Sequence, residues 1–97
     1  MSLDEFQDRI AAAFAEKDRA RGTADTFMWF MEEVGELSTA LREGSPEELR
    51  GEFADALAWL ASLANLSGVR LSEAVAKYAD GCPRCRQAPC VCRQEKP

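Results

Sequence analysis

Two short acidic segments hold the side chains best suited to chemistry in this sequence: Glu32-Glu33-Val34-Gly35-Glu36 and Glu52-Phe53-Ala54-Asp55. Residues three apart project from one side of a helix, which pairs Glu33 with Glu36 and Glu52 with Asp55. If the helices that carry them are antiparallel neighbours, the pairs face each other. Clustered carboxylates in a partly desolvated setting repel one another and take up protons unless a cation neutralises them. A donor set made only of oxygen suits magnesium or manganese. Asp55 strengthens the case, because it interrupts an apolar run with no lysine or arginine one turn away, and an unpaired buried carboxylate costs several kcal/mol, roughly. The plain alternative is a solvated acidic face, since glutamates early in a helix are ordinary complements to its dipole.

Two tryptophans flank these segments. Trp29 precedes Glu33 by four residues and Glu36 by seven, so it shares their side of the helix, and Trp59 lies four residues beyond Asp55. Each ring could stack on a nucleobase beside a metal, or could serve as hydrophobic packing at a subunit boundary. A second constellation lies near the C-terminus, where Cys82-Pro83-Arg84-Cys85 is followed by Cys90-Val91-Cys92. The first pair can aim two thiolates at one zinc and the second can close a tetrahedral site, which predicts a structural zinc bound by Cys82, Cys85, Cys90 and Cys92. The competing reading is a flexible or redox-active tail.

The rest of the composition narrows the options. No histidine occurs among the 97 residues, so imidazole bases and His-ligated metals are excluded. The chain carries 17 acidic and 12 basic residues, net -5, which argues against broad attraction to nucleic-acid polymers or anionic membranes. That charge is uneven. Up to Asp80 the count is 16 acidic against 8 basic, and beyond it 1 against 4. The expected organisation is an acidic helical domain over 1–80 and a cysteine-rich tail over 81–97. The first residues lack the pattern of a secretory signal, and the most apolar run, Phe53 to Leu66, contains Asp55, Ser62 and Asn65. A cytoplasmic protein with reduced thiols is therefore expected.

The elements that must position these groups are all helical. Leu3, Phe6, Ile10, Ala13, Phe14 and Lys17 recur at three- and four-residue steps and predict a first helix ending near Arg21-Gly22. Phe27, Phe30, Met31, Val34, Leu37 and Leu41 trace a second, stopped by Gly44. Ser45-Pro46-Glu47-Glu48 is a capping box that opens a third helix running to Gly68. Nearly all of that helix from Phe53 to Leu66 is apolar, so it should be central, with Ala54, Ala58 and Ala61 meeting another subunit. A short fourth helix is expected between Ser72 and Gly81.

With both acidic motifs on consecutive helices, the sequence resembles the MazG-type all-α nucleoside triphosphate pyrophosphohydrolases over about Ala24 to Lys77. The resemblance rests on Glu-Glu-x-x-Glu followed by Glu-x-x-Asp at the right separation. It implies a four-helix protomer that assembles into a homodimer or homotetramer, and magnesium-dependent cleavage of a nucleoside triphosphate to the monophosphate and pyrophosphate. By position it gives Glu33, Glu36, Glu52 and Asp55 the role of metal ligands, with Glu32 as a weaker candidate for orienting the attacking water or completing a second ion site. Phosphate oxygens not held by metal usually need a cation; Lys77 is the first candidate and Arg70 the second. The alternative is a non-catalytic module of the same fold that senses a nucleotide or displays its zinc tail to a protein. A weaker third reading, a zinc-knuckle nucleic-acid binder, draws on Arg84, Arg86, Arg93 and Lys96.

Overall fold

A computed structural model describes residues 1–93; Lys96 and the end of the predicted tail lie outside the described residues. Three long helices dominate: α1 (Leu3–Arg21), α2 (Thr23–Glu43) and α3 (Pro46–Ser67). A single turn, α4 (Leu71–Ala74), continues into a 3-10 turn over Val75–Tyr78, and the described residues contain no strand. No helix among them is long and apolar enough to cross a membrane.

The ends of the helices follow from local chemistry. Ser45 accepts from the Glu48 amide while the Glu48 carboxylate accepts from the Ser45 amide, closing the expected box with Pro46 at the first helical position. Ser2 and Glu5 make the same reciprocal pair at the start of α1. Such a cap contributes about 1 kcal/mol by satisfying donors that the helix leaves unpaired. Gly68 ends α3 at φ 69°, a left-handed position that costs glycine nothing. The fourth helix departs from expectation. Its cap is Arg70, whose side chain makes no capping bond to the helix, and Ser72 instead donates to Asp4 on α1 at 2.7 Å.

Only Gly44 and Ser45 separate α2 from α3, and so short a turn sets the two antiparallel. Their contact is the most extensive in the molecule; α1 also packs on α3 and touches α2 lightly. The end of α3 is tied to α1 by one amide side chain. Gln7, 1% exposed, donates to Asn65 Oδ1 at 3.0 Å and to the Val69 carbonyl at 2.8 Å, and accepts from the Leu71 amide at 2.9 Å. Arg70 adds ion pairs to Asp4 and Asp8. These pairs hold α4 on α1.

The apolar residues buried by this arrangement are Ile10, Ala40, Ala61 and Ala64. Ala61 is thus covered by its own chain and does not reach a subunit surface as expected, whereas Ala54 is exposed and Ala58 half-buried. Along α2 and α3, Phe27, Met31, Phe53, Leu57 and Leu60 stay between 41% and 54% exposed.

Candidate metal centre

The pairing of α2 with α3 brings together side chains far apart in sequence. Trp29 stacks on Trp59 with ring centroids 6.3 Å apart and planes 13° from parallel. One and two turns further along α2, Glu33 and Glu36 meet Glu52 of α3, so that one carboxylate oxygen from each of the three lies within 4.8 Å of the others. Helical spacing presents Glu33 and Glu36 on one side, and the antiparallel register delivers Glu52 between them. Glu33 and Glu52 are half-buried and Glu36 is exposed.

Two oxygens in this cluster, Oε2 of Glu33 and Oε2 of Glu52, are buried and meet no donor. Ionised carboxylates accept and cannot donate to each other, so the cluster is left with acceptors and no partner. Glu33 responds by holding a proton. Its pKa is pushed up to about 7, first by burial, then by the charge of Glu36, by sharing the proton with Glu52, and by the charges of Asp55 and Glu52. A hard dication satisfies the same oxygens without a proton, and this donor set fits one.

Asp55 belongs to the neighbourhood without joining the tight trio. Its charge reaches Glu33, yet its side chain is exposed, so within one chain Asp55 is not the unpaired buried carboxylate expected from its apolar neighbours. It lines a cavity of about 330 Å³ together with Trp59, Lys17, Asp18 and Arg21. Glu32 is exposed on the adjoining side of α2.

The corner between α1 and α2 supplies groups that the sequence reading missed. Gly22, at φ 88°, turns the chain with a single residue. Arg21 then bonds Asp18 Oδ1 at 2.9 Å and Thr26 Oγ1 at 3.2 Å, and its guanidinium lies 5.0 Å from the centre of the Trp59 ring. Asp18 and Thr26 are 2% and 0% exposed. Lys17 and Arg21 are therefore the cations beside Asp55, and the available signal was Lys17 itself, a basic residue on the apolar stripe of α1. Lys77 goes elsewhere. It lies over the Tyr78 ring and lines a hollow with Asp80, Cys82 and Arg86. Trp29 and Trp59, each considered as a platform for a base, use ring surface on one another; Trp29 remains 50% exposed.

The sequence model of the MazG nucleotide pyrophosphohydrolase domain matches residues 21–85. The chain belongs to the MazG family. No curated protein matches it. The match spans α2, α3 and every carboxylate of the cluster, and it runs past Asp80 to Cys85. Most of α1, with Lys17 and Asp18, precedes it, and Cys90 and Cys92 follow it. The MazG family is one of nucleotide pyrophosphohydrolases.

At the end of the chain the four cysteines are unpaired in disulfides. Their sulfurs all lie within 4.8 Å of one another, an arrangement that could hold a metal ion.

Proposed function

We propose that this MazG domain is a divalent-cation-dependent nucleoside triphosphate pyrophosphohydrolase that releases the monophosphate and pyrophosphate. The observation that carries the reading is the convergence of Glu33, Glu36 and Glu52, with two buried carboxylate oxygens that have no donor, beside a cavity bordered by Asp55. Glu33, Glu36 and Glu52, joined by Asp55, would hold magnesium or manganese. When bound, the cation supplies Lewis acidity toward phosphate and a more acidic water.

The chain's own residues account for the remainder. The acidic cluster repels a bare polyphosphate and admits it only with its cations. Lys17 and Arg21 line the cavity on the side of Asp55 and are placed to neutralise phosphate oxygens not engaged by the ion. The indole of Trp29, half exposed, offers a face on which the base stacks. Water then adds at the α-phosphorus, the bridge to the β-phosphorus breaks, and pyrophosphate leaves with the bridging oxygen. Fixing these groups on packed helices contributes placement and charge, which is most of what such substitution requires.

The exposed apolar strip of α2 and α3 supports a homodimer or homotetramer. A single chain that leaves Phe53, Leu57 and Leu60 at 41% to 54% exposure forgoes roughly 25 cal/mol for each Å² of apolar surface left in water. Sedimentation equilibrium at ~10 µM is expected to return a multiple of the chain mass; a monomer at that concentration removes this part of the proposal.

The deciding experiment incubates the purified chain with Mg2+ and each common ribo- and deoxynucleoside triphosphate, measuring monophosphate and pyrophosphate separately. Equal amounts of the two products from at least one substrate are expected. Tight nucleotide binding without turnover would instead support the sensor reading.

A further inference from the structure

The cysteine cluster lies apart from the carboxylates, and none of the proposed hydrolytic chemistry uses it. We infer that Cys82, Cys85, Cys90 and Cys92 form a closed tetrathiolate zinc site that holds segment 82–92 in its fold.

The spacing of the sulfurs is the first support. A Zn–S bond of about 2.3 Å places the corners of a tetrahedron ~3.8 Å apart. Cys82 Sγ to Cys92 Sγ and Cys85 Sγ to Cys90 Sγ are both 3.9 Å, and the whole set falls within 4.8 Å. Disulfide sulfurs stand much closer, at about 2.05 Å.

The backbone gives a second, independent support. The chain doubles back tightly: the Arg86 amide donates to the Cys82 carbonyl at 2.7 Å, and the Cys82 amide to the Gln87 carbonyl at 3.0 Å. Arg86 and Gly81 take positive φ, 58° and 95°, and a Cβ on Gly81 would stand 2.7 Å from the Gln87 carbonyl oxygen. This folding aims an amide at sulfur. Cys90 Sγ accepts from the amide of Cys92 at 3.3 Å. Such a donor stabilises a charged sulfur and does little for a neutral thiol.

Four sulfurs so close repel one another once ionised and then require a cation, and soft thiolates in tetrahedral array select zinc over magnesium. Loading exchanges the remaining thiol protons for one Zn2+, leaving the cluster at -2 in a segment that also carries Arg84, Arg86 and Arg93. The segment has no apolar core to order it otherwise, since Val91 is 73% exposed, so binding energy becomes folding energy. All four positions are filled by protein, so the site has no vacancy for water and acts as a staple.

The test uses the full chain, purified from zinc-supplemented cells without chelator. Metal analysis is expected to find one zinc per chain, and exchange with Co2+ to give the strong sulfur-to-cobalt absorption of a four-thiolate site. Cys90→Ser and, separately, Cys85→Ser are expected to weaken zinc retention against a chromophoric chelator by at least ~100-fold, with helical circular dichroism kept because α1, α2 and α3 pack on one another without the tail. Glu36→Gln, which alters only the carboxylate centre, should retain the zinc. A zinc-free chain with two disulfides, iron in place of zinc, or zinc lost with Glu36→Gln and kept with Cys90→Ser each overturns the assignment.

Discussion

Glu36→Gln is expected to lower kcat/KM for triphosphate hydrolysis by ~1000-fold or more, about 4 kcal/mol of transition-state stabilisation. The amide keeps the shape of the side chain and one carbonyl oxygen but removes the charge that draws a dication to the trio. Stability should hardly move. Glu36 is exposed, and a surface exchange away from packing contacts changes folding by about 0.5 kcal/mol or less; losing a like charge beside Glu33 relieves repulsion besides. Unchanged helical circular dichroism with lost turnover is therefore the expected pair of results. Asp55→Asn should also remove activity. Asp55 sits at the boundary between the carboxylate trio and the cavity lined by Lys17 and Arg21, where a phosphate bridging ion and cation would pass. Full activity in both variants would refute the site.

The second large effect is on stability, through the proton held by Glu33. That group moves from 4.5 to about 7 on folding, so between these values the folded chain without metal binds a proton that the unfolded chain has released. Linkage then makes the metal-free protein less stable as pH rises through this window. A dication reverses the trend, because it replaces the proton and neutralises the same oxygens. Mn2+ at 100 times its dissociation constant contributes ~2.7 kcal/mol, roughly 10 to 20 °C in Tm for a domain of this length. The shift should be greatest near pH 8 and shrink below pH 7, where each unit of acidity costs up to about tenfold in affinity for one displaced proton. Thermal melts at pH 5, 6, 7 and 8 with and without Mn2+ measure this directly. A Tm at pH 8 indifferent to Mn2+ and Mg2+ contradicts a metal centre at these glutamates.

Both expectations begin in residues that the sequence displays openly. The stops at Gly22, Gly44 and Gly68, the box at Ser45 and Glu48, and the three-residue spacing of Glu33 with Glu36 depend only on near neighbours along the chain, which is why they could be read without coordinates. The pairing of α2 with α3 was nearly as legible, because a two-residue connection leaves little choice but antiparallel packing. The sulfurs too were near one another in sequence, although only the folded segment shows how an amide is directed at one of them.

What sequence could not determine was where α1 lies and which way the chain turns after Gly68. Gln7 bonds to residues 58 to 64 positions away, and a buried amide of that kind leaves no periodic trace. The same crossing sets Lys17, Asp18 and Arg21 beside Asp55, while the turn into α4 commits Arg70 to Asp4 and Asp8 and sends Lys77 toward the cysteines. Local spacing thus determined which carboxylates could act together. Tertiary packing decided which cations stand beside them, because contacts between remote segments are selected by how whole helix faces fit and not by any interval along the chain.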